Sequence, residues 1–130
     1  MKLSKSCDFA LRVLVCLGSE CDGGATMHML AEKLDISYHH LTKIIQKLAH
    51  ANIVLTRQGK NGGVQLIQVP DEITLKRVVE VMDGPARFAE CFASADHCRL
   101  ERFCKIKAVL HGVQDRFDGV LQATTVAQMI

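Results

Sequence analysis

The apolar positions of the first fifty residues fall into three helical stripes. Ala10, Val13, Leu14 and Leu17 recur at the spacing that puts them on one face of a helix over residues 4–20, and Gly23-Gly24 closes that element. Thr26 carries a hydroxyl suited to an N-cap. The pattern after it predicts a short helix over 27–34, with Met29, Leu30 and Leu34 inward and Glu32 and Lys33 outward. Asp35-Ile36-Ser37 makes a tight connection, and Ser37 is a second cap. A longer helix is expected from Tyr38 to about Ala51, with Leu41, Ile44, Ile45 and Leu48 on one face. Two helices joined by a few residues, the second amphipathic, form a helix-turn-helix pattern.

The period then shortens to that of strands. Ile53 to Thr56 and Val64 to Val69 are β-prone and flank Arg57-Gln58-Gly59-Lys60-Asn61-Gly62-Gly63, so a hairpin with a glycine-rich tip is expected, ended by Pro70. A hairpin directly after the second helix of such a pair is a wing. Residues 71–83 form another predicted helix, with Asp71 as its cap and Gly84-Pro85 as its stop. Residues 86–98 show no clear period. From about Arg99 to Gln122 a long helix is expected, where Phe103, Ile106, Leu110, Val113, Phe117 and Val120 follow the alternating three-four spacing of a coiled-coil seam. A single small domain cannot bury such a seam alone, so a homodimer through this helix is expected. The predicted fold is mainly α with a β-hairpin wing. Residues 1–84 make a winged helix-turn-helix, and 85–130 a cysteine-bearing loop and dimerisation helix.

Charge sharpens this picture. The net charge is only +2, yet from Ser37 to Gly63 there are four basic residues, three histidines and no acid. Lys43, Lys47, Arg57 and Lys60 are placed to neutralise phosphates. Tyr38, His39, His40 and Lys43 occupy the helical turns that meet base edges in a major groove. Thr26, Ser37, Asn61 and Gly62 complete the expected DNA-binding set. A two-fold dimer reads two half-sites, so the partner is double-stranded DNA with a palindromic operator. Neither a phosphate loop nor a nucleophile elbow occurs, and an enzyme is not expected.

The 130 residues are 48% hydrophobic and 23% charged, which excludes wholesale disorder. No apolar run approaches the roughly 18 residues that span a bilayer, so no membrane association is expected. The N-terminus lacks a secretory pattern, which makes cytoplasm the expected compartment. Six cysteines in a reducing compartment read as thiols or metal ligands. Cys7, Cys16 and Cys21, in or near the first helix, read as small core residues. Cys91, Cys98 and Cys104 sit where little core is available. Their spacing does not match a zinc knuckle, and three thiolates are one short of the usual four for an iron–sulfur cluster.

The opening Met1-Lys2-Leu3-Ser4 with Asp8-Phe9-Ala10-Leu11-Arg12-Val13-Leu14 resembles the start of the IscR/NsrR/RirA family of bacterial regulators. The stretch Arg57 to Leu66 is similar to that family's wing. The three later cysteines, the long helix and the closing Thr124-Thr125-Val126-Ala127 also match. The resemblance implies a homodimeric winged-helix regulator, a repressor, whose Cys91, Cys98 and Cys104 hold a cluster, [4Fe–4S] favoured over [2Fe–2S]. Such a regulator would sense nitric oxide, redox or iron status. In the IscR branch a histidine three residues after the last cysteine completes the site; here Lys107 stands there. In the NsrR branch an aspartate of the first helix, given by the partner subunit, is the fourth ligand; Asp8 stands at the matching place, four residues before Arg12. His97 and His111 are further candidate ligands. Two other readings are a cluster-free, thiol-based redox regulator and a small electron-transfer protein.

Overall fold

Among the described residues, four of five α-helices begin on a hydroxyl that accepts a backbone N–H of the first turn. A computed structural model describes residues 2–21, 24–93, 98–100 and 103–130. In it α1 spans Lys5–Ser19, α2 Met27–Lys33, α3 Tyr38–His50, α4 Leu75–Asp83 and α5 Lys105–Ala123. Ser4, Thr26, Ser37 and Thr74 cap the first four, accepting from Cys7, Met29, His40 and Arg77 at 3.0, 3.1, 3.2 and 3.3 Å. Each satisfies a donor that the helix itself cannot. The strands are β1, Val54–Arg57, and β2, Gly63–Leu66. They pair antiparallel in the register Val54 to Leu66 and Arg57 to Gly63.

The stripes read from the sequence form one core. Leu14, Leu30, Leu41, Ile44, Leu48, Ile53, Val64, Ile73 and Val78 are all buried. Two left-handed residues turn the chain between helices and wing: Asp35, φ 49°, after α2, and Asn52, φ 56°, after α3. The base of the wing is stitched to the turn before α2. Ala25 and Val64 exchange backbone hydrogen bonds of 3.0 and 2.7 Å. The end of the chain returns to the same core, where Leu121 and Val126 are buried and Val126 donates to the Ile73 carbonyl. Among the described residues no helix is long and apolar enough to cross a membrane.

Several expected boundaries move. The helix over 71–83 divides into a 3₁₀ turn, Pro70–Glu72, and α4; Thr74, not Asp71, is the cap of α4. Pro70 suits the start of a turn, since it has no N–H to lose there. The second strand stops at Leu66. Ile67 still donates to the Ile53 carbonyl, but beyond Ile53 the partner chain turns at Asn52 and offers no further register. Met29 is 57% exposed; the phase set by the Thr26 cap turns Leu30 inward and leaves Met27 half-buried in its place. The last helix starts at Lys105 rather than Arg99, and a short 3₁₀ turn, Glu90–Phe92, lies in the segment without period.

Candidate nucleic-acid interface and thiol arm

The Ser37 cap places Tyr38, His39 and Lys43 on the exposed side of α3 while Leu41, Ile44 and Ile45 go to the core. Tyr38 is half-exposed and packs on the His28 ring of α2, with centroids 5.1 Å apart. Between α2, α3 and the wing lies a groove of about 740 Å³, lined by Thr26, His28, Tyr38, Gln46, Arg57 and Lys60 among others. Its walls carry cations and hydrogen-bonding groups, the make-up that a polyanion needs. The wing's shape depends on missing side chains. A Cβ on Gly62 would overlap the Arg57 carbonyl oxygen, and one on Gly63 would stand 2.6 Å from the Ala25 carbonyl oxygen. Arg57, Lys60 and Asn61 are thereby held on the exposed tip.

Two expected DNA-contacting residues are engaged elsewhere. Lys47 donates from Nζ to the Met82 carbonyl at 3.1 Å, near the C-terminal end of α4. His40 is half-buried and faces α1, with Nε2 2.9 Å from Ser6 Oγ. Lys43 and Lys47 also border a second cleft, of about 660 Å³, with Gln46, His50 and Val81.

The arm is built differently. The segment before α5 is held to that helix by three rungs. Phe88 packs edge-on against Phe117 with centroids 5.4 Å apart, its N–H donates to Gln114 Oε1 at 3.1 Å, and Phe92 stacks on His111 at 4.1 Å. Cys91 sits in the turn that these rungs fix. Cys104 caps α5, its sulfur accepting the Lys107 N–H at 3.4 Å, at the end of the helix where negative charge is favoured. Cys98 is exposed. Of the expected dimerisation seam, Phe103, Ile106, Val113 and Val120 are exposed, whereas Leu110 and Phe117 are half-buried; Val109 adds to the exposed stripe. Phe117 packs on the subunit's own core.

The family described as an iron-dependent transcriptional regulator, Rrf2, matches residues 3–130. The chain belongs to the Rrf2 family. It is 34% identical to the HTH-type transcriptional regulator NsrR of Geobacillus kaustophilus, over 100% of this chain and 90% of that protein. Its fold is similar to that of T. potens IscR, with a TM-score of 0.77 and 23% identity, covering 99% of this chain and 85% of that one. It is equally similar to CymR, the global cysteine regulator of B. subtilis, with a TM-score of 0.75 and 24% identity, covering 99% and 95%. This Rrf2 chain is therefore a DNA-binding transcription regulator on a winged-helix fold, and not an enzyme.

Its cysteines divide by surroundings. Cys7 and Cys16 are buried in the core. Burial, then the charges of Asp83 and Asp8, push the Cys7 thiol up to about 11. Burial, then neighbouring Cys16, pushes the Cys21 thiol up. A raised thiol stays protonated and is a poor nucleophile or ligand. Asp8 is exposed and pairs with Arg12 at 2.9 Å; it does not cap α1. Among the described residues no group of three or more His, Cys, Asp or Glu is gathered as a metal site. His97 lies outside the described residues, and His111 stacks on Phe92. The sequence reading missed His28, Gln46 and the Phe88 and Phe92 rungs. Gln46 was within reach of it, because it follows Tyr38 and Thr42 at four-residue steps along one face.

Proposed function

We propose that this Rrf2 regulator is a homodimeric, cluster-bearing sensor that represses transcription from a palindromic operator. Residues 1–84 read the DNA. Residues 85–130 carry the cysteines and join two copies through α5. Cys91, Cys98 and Cys104 would hold an iron–sulfur cluster, [4Fe–4S] favoured over [2Fe–2S], and Asp8 of the partner subunit would be the fourth ligand. The observation that carries this reading is the split among the cysteines: Cys7 and Cys16 are buried in the core and Cys21 packs on it, whereas Cys91, Cys98 and Cys104 lie outside it, in a chain that matches NsrR along its whole length. The donor set suits iron, since soft thiolates favour it and a carboxylate gives one harder position.

When bound, a cluster would supply a redox-active centre sensitive to nitric oxide or oxygen. The rest falls to the protein. Cys104 holds its sulfur at the positive end of α5, and Phe92 on His111 keeps the Cys91 turn against the same helix. Asp8 would leave Arg12 to reach a neighbouring subunit. Lys43, Lys60 and Arg57 would take phosphates, with Thr26, Ser37, Tyr38, His39 and Asn61 near bases and sugars.

Absorption and native mass spectrometry of protein isolated without oxygen test the proposal. The expected species is a dimer carrying iron and sulfide, changed in mass and spectrum by nitric oxide. A second reading, a cluster-free thiol sensor, is favoured by the exposure of Cys98. Protein without iron and acid-labile sulfide, whose DNA binding responds to peroxide through Cys98, would establish that second reading instead.

A further inference from the structure

The first turn of α1 sends side chains in three directions. Ser4 binds the Asp83 carboxylate at the end of α4 through both its N–H, at 2.8 Å, and its hydroxyl. Ser6 reaches α3, with Oγ 2.9 Å from His40 Nε2. Asp8 stays in solvent with Arg12. Phe9, one turn on from Lys5 and Ser6, meets the His40 ring edge-on at 5.8 Å, and the Lys5 amine lies over the Phe9 ring, 5.8 Å from its centroid.

The far end of α3 is held by other means. Lys47 donates to the Met82 carbonyl, and Arg77 Nη2 donates to the Ala51 carbonyl at 2.8 Å while its Nη1 binds Gln68. The C-terminal end of α3 is thus fixed to α4 by two cations. Polar attachment of its N-terminal end to α1 runs through Ser6 and His40.

We infer that His40 is a positioning residue, which holds the N-terminal end of α3 against the first turn of α1 and so sets the angle at which Tyr38, His39 and Lys43 meet DNA. A movement of that α1 turn reaches the reading surface through this contact. The inference rests on the DNA-binding reading of α3. It reverses the role that position alone suggests for His40, whose place in the first turn is that of a base reader.

The test is a double-mutant cycle on DNA binding. The probes are a duplex selected by wild-type protein from a randomised library and a random-sequence duplex of the same length. Ser6→Ala and His40→Ala are each expected to weaken the selected duplex about tenfold, the loss of one hydrogen bond. The double variant should be no weaker than the worse single one. Base preference, read by repeating the selection, should stay that of wild type, and His40→Gln should recover part of the loss. If Ser6→Ala keeps wild-type affinity while His40→Ala changes preference at one base pair, His40 reads bases and the inference is overturned. Additive losses overturn it too. Should His40→Ala fail to fold by circular dichroism, Ser6→Ala and His40→Gln carry the same test. If wild-type protein selects no duplex at all, the DNA reading of α3 fails, and the inference with it.

Discussion

The winged head and the C-terminal arm contain three cysteines each and a comparable share of apolar side chains, yet they treat them in opposite ways. The head buries Cys7, Cys16 and its helical stripes in one core. The arm leaves Cys98 in solvent, Cys104 half-covered at a helix end, Phe103 exposed just before α5, and Ile106, Val109, Val113 and Val120 exposed along it. Phe103 is 89% exposed, where Leu14 is fully buried. The difference is one of packing partners and not of residue type. A thiol in a core is a small apolar group; one without a core is a ligand or a reagent. An apolar stripe follows the same logic, since one that its own subunit does not cover invites a second surface.

The largest effect that could break this contrast is on a bound cluster. Cys91→Ala, Cys98→Ala and Cys104→Ala should each remove the visible chromophore of protein isolated without oxygen, whereas Cys16→Ala and Cys21→Ala should keep it. An intact spectrum in Cys98→Ala would erase the division. Next comes assembly. Ile106→Asp or Val113→Asp should convert a dimer to monomers in sedimentation. These exposed positions are cleaner probes than Phe117→Asp, which would also damage the contact with Phe88 and the subunit's own core. An unchanged dimer in both would mean that the stripe is not the interface.

Stability sharpens the contrast from the other side. Cys7→Ser places a hydroxyl in an apolar site and should cost about 1–3 kcal/mol in denaturant unfolding, while Cys98→Ser should stay within about 0.5 kcal/mol. The pH dependence follows from the same burial. The folded Cys7 thiol is raised from 9.0 to about 11, so the unfolded chain loses its proton first. Its stabilising contribution is complete below pH 9 and disappears as pH rises toward 11. Cys7→Ala should flatten the fall in stability over that window. The smallest effect concerns the exposed part of the head. Lys60→Ala should weaken binding to all duplexes alike and reduce the slope of log affinity against log salt by about 1.

Most of the head was legible in the sequence because its determinants are local. The stripes of α1 and α3 give the buried faces, and Thr26 and Ser37 mark their own helix starts. What was hidden depends on neighbours distant in the chain. His40 and His39 are adjacent in sequence, and only the position of α1 decides which ring turns inward. Thr74 outcompeted Asp71 as a cap because Pro70 starts a separate turn. The seam on α5 was visible, but its division into exposed and half-buried members was not, since Phe117 meets Phe88, a residue distant in the chain. Of the candidate site, the wing and α3 could be placed from pattern alone. The ligand roles of Cys91, Cys98, Cys104 and Asp8 rested on resemblance.

The return of the chain end to the core gives α5 the mechanics of a cantilever. Its root is seated where Leu121 and Val126 are buried, and its tip carries Cys104. Phe117 already packs on that core, so the free part from there to Cys104 is 13 helical residues, or about 20 Å. A rotation of about 5° at the root sweeps the tip through roughly 2 Å, close to the length of one metal–sulfur bond. The reverse also follows. Whatever grips or releases the sulfur at the tip applies its force at the end of a long lever, and that lever turns on the residues that pack beneath α4 and the reading head.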